Sequence, residues 1–310
     1  MINRELIRQK VVQITYAHSQ TDAKNPAAAE KELLVSLSQA YDLYNQLLLL
    51  MTELSRMALR VLEMRQNRSN RLGEDVCHST KFVDNRFMLQ LESNKQLVDY
   101  RDGQQRFSWS DEEEFVRNLY NRIEESEYYR AYMQNAEGGY DEDREMWRLI
   151  YRHFICNNDE LDALLEDKNL YWNDDKVVVD TFVLKTINRF KEDSTADQPL
   201  LPEFRDEADR DFALRLIVRT FANADYFDEL IAGTARKFDL SRIALMDRVI
   251  LHVALAEIIS FPGIPVSVSI NEYIELAKAY STPKSSRYIN ATLDNIVKKL
   301  RDDKTLIKDA

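Results

Sequence analysis

The sequence has few of the residues that break or bend a chain. Its 310 residues include only six glycines and six prolines. Tight turns between strands depend on these two residues, because glycine reaches positive φ and proline fixes φ near −65°. Their scarcity disfavours a sheet protein and favours helices. The length is enough for two or three domains with a sizeable core.

Cysteines and long apolar runs are also scarce. Cys77 and Cys156 are the two cysteines, and neither belongs to a CxxC pair, so we expect reduced thiols. The longest uninterrupted apolar run, Leu47 to Met51, is far too short to span a bilayer. The first ten residues, MINRELIRQK, lack the apolar core of a secretory signal. We therefore expect a cytoplasmic protein that does not enter a membrane.

No pattern in the sequence is typical of a catalytic or metal site. The four histidines, none of which has the spacing of a zinc ligand, are His18, His78, His153 and His252. His153 and Cys156 are three residues apart, but a metal there would need two further ligands. The chain also has no glycine-rich phosphate loop and no GxGxxG. We predict a protein that is not an enzyme and that uses no cofactor and no metal.

Charge is distributed unevenly along the chain, which has a formal net charge of −11. Acidic residues concentrate in the middle, as in the run Asp111-Glu112-Glu113-Glu114, whereas both ends lean basic. The net charge argues against nonspecific nucleic-acid binding by the whole surface. Two interpretations of the basic ends stay open. They form a patch for a short RNA, or they are solvated helix faces.

Apolar residues recur at helical spacing through most of the chain. A very long helical pattern runs from Ala27 to about Arg68, and the segment from Leu240 to Ser260 is apolar on nearly every side, which predicts a central core helix. The stretch from Ile264 to Leu300 predicts two helices joined by a short polar turn. Ser267 or Ser269 is a candidate N-cap of the first, and Ser285 or Ser286 of the second. The fold class predicted is all-α.

The last of these stretches carries a family resemblance. It contains IPV at 264–266, INEYIELAK at 270–278, a turn, and RYINATLDNI at 287–296. In this order and without gaps, the residues closely resemble the C-terminal end of the NusB family of transcription antitermination factors. VQITY at 12–16 resembles the start of the same family, and Arg4 and Arg8 match two positions of its arginine-rich run. Glu5 and Leu6 depart from that run.

The resemblance implies a domain organisation. The two chain ends would form a NusB-like helical bundle, with an additional helical insertion between them. The boundaries predicted are 1–24 for the N-terminal helix, 25–205 for the insertion, 206–302 for the C-terminal domain and 303–310 for a tail. The resemblance does not explain the insertion.

The resemblance also implies a function in transcription regulation. NusB-like proteins bind boxA-type single-stranded RNA together with NusE, a small-subunit ribosomal protein, and support transcription of ribosomal RNA operons within an RNA polymerase antitermination complex. The positions of this chain that match the RNA surface of the family are Arg4, Arg8, Lys284, Ser285, Arg287 and Tyr288. Asp247 falls on an acidic position of the NusE interface and His252 on a basic one.

Two alternatives to RNA binding follow from departures in the sequence. The net acidity and the thinned arginine run leave open a helical scaffold or interaction module that keeps the NusB fold without binding RNA. An RNA-modifying enzyme is the other. Some RNA methyltransferases carry a NusB-like domain, but their catalytic half needs a strand and a glycine-rich turn that are not found in this chain.

Overall fold

The computed structural model describes residues 1–21, 25–103, 107–172, 174–234 and 242–306. Within these ranges the chain is helical without a strand, so the prediction of an all-α fold is confirmed; one isolated bridge joins Ile2 and Phe204. Fourteen α-helices are described. They are α1 (Arg4–Ser19), α2 (Pro26–Leu72), α3 (Arg86–Glu92), α4 (Lys95–Gly103), α5 (Glu113–Glu124), α6 (Glu127–Gln134), α7 (Tyr140–Ile150), α8 (Asp159–Lys168), α9 (Lys176–Arg189), α10 (Glu207–Ala222), α11 (Ala224–Ala232), α12 (Leu245–Ser260), α13 (Val266–Tyr280) and α14 (Ser285–Asp302).

The chain divides into two compact units. Residues 2–38 and 204–310 make up one, here called the chain-end unit, and residue 1 with residues 39–203 makes up the other, the insertion unit. The sequence predicts an insertion from 25 to 205, whereas residues 25–38 group with the chain ends. The cause is α2, a continuous helix of 47 residues whose first part belongs to one unit and whose remainder belongs to the other.

The chain-end unit is organised around α12. This helix packs against α1, α10, α11, α13 and α14, and residues 249–258 are all buried. A helix that is apolar on every side can satisfy all its faces only in the centre of a bundle. The structure thus confirms the central core helix, with its start at Leu245; residues 240 and 241 of the predicted segment lie outside the described residues.

Two helix starts differ from the sequence prediction. α13 begins at Val266 without a side-chain cap, so Ser267 and Ser269 are not its N-caps. Ser269 lies inside the helix and donates its hydroxyl to Glu257 Oε1 at 2.7 Å. In α14 the N-cap position is Lys284, again without a side-chain cap. The predicted caps are wrong, and two of the four serines, Ser269 and Ser285, instead donate their hydroxyls to the buried carboxylates of Glu257 and Asp247.

The insertion unit has an aromatic core. Phe82 and Trp147 pack with ring centroids 5.4 Å apart, and Phe87 meets Phe190 edge-on at 5.5 Å. α7 is the hub, in contact with α3, α6 and α9, and it continues into one π-helical turn, Tyr151–Ile155. None of the described helices in either unit is long and apolar enough to cross a membrane.

Candidate nucleic-acid interface

The turn between α13 and α14 is held by a single buried carboxylate. Asp247, in the first turn of α12, accepts a hydrogen bond from Ser281 Oγ at 2.5 Å and another from Ser285 Oγ at 2.9 Å. Asp247 is 7% exposed and Ser285 3%. Each hydrogen bond to a charged group stabilises the fold by about 1.5–3 kcal/mol. The carboxylate therefore fixes the position at which α14 begins.

This network joins two residues that the sequence assigns to different surfaces. Ser285 is predicted to contact RNA and Asp247 to contact NusE, yet the two are hydrogen-bonded to each other. Both are too buried to offer much contact area. Their evident role in the structure is to position the residues around them.

Lys284 and Arg287 are the exposed cations at this turn. Both side chains lie at the solvent surface, and neither makes a described ion pair. They stand at the N-terminus of α14, where the N-cap residue Lys284 makes no side-chain cap. The positive end of the helix dipole and two exposed cations together suit a phosphate group.

Tyr288 follows Arg287 and is half-buried. Its hydroxyl oxygen is shielded from solvent, and burial raises the pKa of this phenol above its usual value. A base would therefore meet the ring rather than the hydroxyl. Stacking on an aromatic ring is tolerant of base identity and contributes about 1–3 kcal/mol per base.

Arg8 has a different environment from the one predicted for an RNA contact. It is 4% exposed, and its Nε and Nη2 donate to the two carboxylate oxygens of Glu257 at 2.8 and 2.9 Å. Nη1 donates to Glu272 Oε2 at 3.0 Å. Burial by itself would lower the pKa of Arg8, but the Glu257 carboxylate outweighs it and the pKa is raised. Arg8 thus joins α1 to α12 and α13 from inside the unit.

Glu257 is the acceptor around which this buried cluster is built. Besides Arg8 it accepts hydrogen bonds from Ser269 Oγ at 2.7 Å and Tyr273 Oη at 2.9 Å. It is fully buried, at 0% exposure. A buried carboxylate is costly unless its lone pairs are satisfied, and here four donors satisfy them.

Arg4 is the more accessible of the two predicted arginines. Its side chain is 41% exposed, although Nε contacts Asp209 Oδ1 at 3.3 Å and the guanidinium lies 5.1 Å from the ring centroid of Phe212. These contacts place Arg4 beside α10. The structure thus locates Arg4 and Arg8 along α1, and the other four predicted RNA residues at the start of α14.

Gln13 is the residue of α1 that reaches the end of α13. Its Nε2 donates to Tyr280 Oη at 3.1 Å, directly before the turn. Sequence reasoning did not single out either residue. The available signal was a polar side chain within the largely apolar run VQITY. On the α1 side it is therefore Gln13, rather than Arg8, that adjoins the Lys284 turn.

His252 lies in a cluster of charged side chains on another side of α12. Its Nε2 is 2.8 Å from Asp228 Oδ1, and the same carboxylate receives both Nε and Nη2 of Arg248. Burial alone would raise the pKa of Asp228, but hydrogen bonds from His252 and Arg248 hold it well below its usual value. His252 is 8% exposed. No group of three metal-ligating side chains occurs among the described residues.

Comparison with known proteins identifies relatives of this chain. The family model described as NusB family matches residues 179–298. The transcription antitermination protein NusB of Salinibacter ruber is 36% identical over 132 residues, which are 41% of this chain and 82% of that protein. The chain belongs to the NusB family. The transcription antitermination protein NusB of Symbiobacterium thermophilum is 34% identical over 122 residues, which are 39% of this chain and 76% of that protein.

The extent of these matches separates the NusB part from the rest. A third NusB, from Pelotomaculum thermopropionicum, is 39% identical over 99 residues, or 32% of this chain and 69% of that protein. No solved structure matches the chain. The family model begins within α9, so the likeness of residues 1–20 to the family stays a prediction. Most of the insertion unit lies outside the match to the family model.

Proposed function

We propose that this protein is a transcription antitermination factor. It binds boxA-type single-stranded RNA together with NusE and supports processive transcription of ribosomal RNA operons in the cytoplasm, without catalysing a reaction. Membership of the NusB family supports the general role. The observation that supports the RNA contact is the α14 start, where Lys284 and Arg287 are exposed at the positive end of the helix.

The roles of the predicted site residues divide into contact and positioning. Lys284, Arg287 and Tyr288 make the contact, with Arg4 as a further cation on α1. Ser285 positions the turn through Asp247, and Arg8 positions α1. Asp247 and His252 remain the proposed NusE residues. Because both are more than nine-tenths buried, we expect them to shape that interface more than to fill it.

A titration with a boxA-type RNA tests the proposal. Fluorescence anisotropy should show binding that tightens when NusE is added. Arg287→Ala should weaken it by about three- to tenfold and reduce the salt slope by about 0.7, the value for one single-strand phosphate contact. Tyr288→Ala should lose affinity at every sequence, because stacking does not read base edges.

The matched control for these variants is Lys31→Ala. Lys31 is an exposed lysine on α2 in the same unit and is not one of the predicted RNA residues, so its loss should leave the affinity unchanged. Equal losses for Lys31→Ala and Arg287→Ala would refute a localised RNA site.

A scaffold that keeps the fold without RNA binding is the second candidate. The internal use of Arg8 favours it, because Glu257 holds this arginine away from any RNA. It predicts that NusE binds with unchanged affinity whether or not RNA is present. Absence of RNA binding at low salt, with NusE binding intact, would select this candidate.

A further inference from the structure

A groove of about 430 Å³ lies between α13 and α14 in the chain-end unit. Its floor is apolar and consists of Val266, Ile270 and Val297, each at most 8% exposed. Its rim is polar and includes Asn271, Asn290, Asp294, Lys298, Arg301 and Asp302. The lining contains no residue of the α14 start, and it contains neither Asp247 nor His252, the proposed NusE residues.

The polar groups of the rim are open to solvent. Asn271, Asp294 and Lys298 are exposed, and Asn290 is half-buried. None of these four side chains makes a hydrogen bond or an ion pair within the part of the chain that the structure describes. A bound molecule can therefore reach them without breaking an internal contact.

The α14 side of the groove continues the face that begins with Arg287. Successive residues of an α-helix turn by about 100°, so Asn290, Asp294 and Lys298 all fall within roughly 60° of Arg287 around the helix axis. Lys298 lies roughly 16 Å further along α14 than Arg287, at a rise of about 1.5 Å per residue. The cation at the helix start and the cations at the groove thus lie along one line on the surface of α14.

The groups on the rim match the parts of a ribonucleotide. Lys298 and Arg301 supply the positive charge that suits a phosphate. The amides of Asn271 and Asn290 each have donors and an acceptor, as hydrogen bonding to a base edge requires. The Asp294 carboxylate only accepts hydrogen bonds, and the ribose 2′-hydroxyl is a donor that DNA does not have.

The carboxylates make a nonspecific phosphate patch a poor description of the groove. Asp294 and Asp302 balance the charges of Lys298 and Arg301, so a bound polyanion must donate to a carboxylate as well as contact the cations. RNA does both. A peptide with charges of both signs would also meet this condition, but the groove lies in line with the proposed RNA contact at Arg287, which favours RNA.

We propose that the groove between α13 and α14 holds a ribonucleotide of the bound single-stranded RNA, with Asp294 accepting the ribose 2′-hydroxyl. The proposal rests on the proposed function, because the RNA reaches the groove from the α14 start. Lys298 and Arg301 bind the phosphates of this nucleotide, and Asn271 and Asn290 bond its base. The groove thus extends the RNA site along α14 and selects RNA over DNA at this position.

A deoxyribose scan tests the proposal. A boxA-type RNA carries about four additional nucleotides at each end, and each ribose in turn is replaced by 2′-deoxyribose. Fluorescence anisotropy in the presence of NusE measures the affinity of each RNA. We expect one substituted position to lose about five- to tenfold in affinity for the wild type, the effect of one hydrogen bond. The same substitution should have no effect on the affinity of Asp294→Ala.

Two variants and their matched controls locate the contact. Asp303→Ala removes an exposed aspartate at the C-cap of α14, outside the groove, so it changes the net charge as Asp294→Ala does but should keep the deoxyribose effect. Lys298→Ala should weaken binding of the RNA about three- to fivefold and reduce its salt slope by about 0.7, the value for one single-strand phosphate contact. Lys299→Ala removes an exposed lysine that does not line the groove, and it should change neither quantity.

The outcomes separate this proposal from the RNA function itself. A deoxyribose effect that Asp294→Ala removes and Asp303→Ala keeps supports the groove. Tighter RNA binding by Asp294→Ala with an unchanged deoxyribose profile overturns the proposal, because the carboxylate then only repels phosphates. Absence of any position that depends on Asp294, while Arg287-dependent RNA binding persists, overturns the groove and leaves the proposed function standing.

Two further results would overturn the proposal for other reasons. A loss of NusE affinity in Asp294→Ala without RNA present would show that the groove contacts a protein instead. RNA that does not bind at all, with or without NusE, would defeat the proposed function and the groove together.

Discussion

The two units of this chain share a helical design but differ in charge. The insertion unit has 33 acidic and 21 basic residues, whereas the chain-end unit has 20 and 21. The net charge is thus −12 for the insertion unit and +1 for the chain-end unit, so the net negative charge lies in the part that the family model mostly does not match. A polyanion would be repelled by the first unit and tolerated by the second. The net charge of the whole chain is therefore a poor guide to where RNA could bind.

Each unit also contains a buried charge cluster, and the two clusters are built differently. In the chain-end unit Arg8 and Glu257 are joined by a bidentate pair with further donors. In the insertion unit Lys176 Nζ bonds Asp180 Oδ2 at 3.1 Å and the Ile155 carbonyl at 3.0 Å, and Tyr151 donates to Asp180. Burial raises the pKa of Asp180, in spite of its neighbours. The following predictions test whether the Arg8–Glu257 cluster stabilises its unit more than the Lys176–Asp180 cluster does.

Arg8→Ala should have the largest effect. It leaves Glu257 buried without its cation, which costs about 3–5 kcal/mol for a buried pair that loses one partner. Native-state hydrogen exchange should show reduced protection in α1 and α12, with α7 and α9 unchanged. Arg210→Ala, which breaks an exposed i,i+3 pair with Glu207, should cost under about 0.5 kcal/mol. Equal protection of α1 and α12 in Arg8→Ala and in the wild type would contradict a stabilising role for the Arg8–Glu257 pair.

Lys176→Ala should have a smaller, pH-dependent effect in the insertion unit. The loss removes the cation and one hydrogen-bond donor beside the buried Asp180 carboxylate, which costs about 1–3 kcal/mol at neutral pH. Because its pKa is already raised, Asp180 can take up a proton as the pH falls, and the penalty should then shrink. Urea unfolding at pH 7 and pH 5 measures the change. A penalty that grows toward pH 5 would contradict this assignment.

Asp228→Asn should have the smallest effect, confined to the Arg248–Asp228–His252 cluster. The folded-state pKa of Asp228 is depressed, so its stabilisation is fully present above the unfolded-state value of about 3.9 and is lost as the pH falls below it. Removing one charged hydrogen-bond acceptor should cost about 1–2 kcal/mol at pH 7. The stability difference between variant and wild type should narrow below about pH 4 in thermal or urea unfolding. A stability difference between variant and wild type that stays constant down to pH 3 would contradict a depressed pKa for Asp228.

Patterns of local spacing predicted much of the fold. The apolar period in VILHVALAEII gave a central helix, and α12 is that helix. The IPV to DNI stretch predicted the α13–α14 pair, and both helices form within a few residues of the expected bounds. These features depend on residues three and four apart, which a sequence displays directly.

The candidate site was predictable only in part. The position of Lys284 and Arg287 in a polar turn predicted that both side chains are exposed, as contact with a partner requires. Both are exposed in the structure. Nothing local indicated that Arg8 would be buried, since Glu257 is 249 residues away. The same holds for Ser285, whose acceptor Asp247 is 38 residues distant and takes the hydroxyl that capping would use.

The sequence by itself determined that this protein is helical, which of its segments is apolar enough to be central, and that its C-terminal part is NusB-like. Helical periodicity and family patterns are properties of neighbouring residues, so they do not depend on how the chain packs. Only the tertiary structure decided which charges are available to a partner. Arg8 is paired with Glu257 inside the unit, whereas Arg287 stays exposed to solvent. The difference arises because the partner of a charged side chain depends on which residues folding brings beside it.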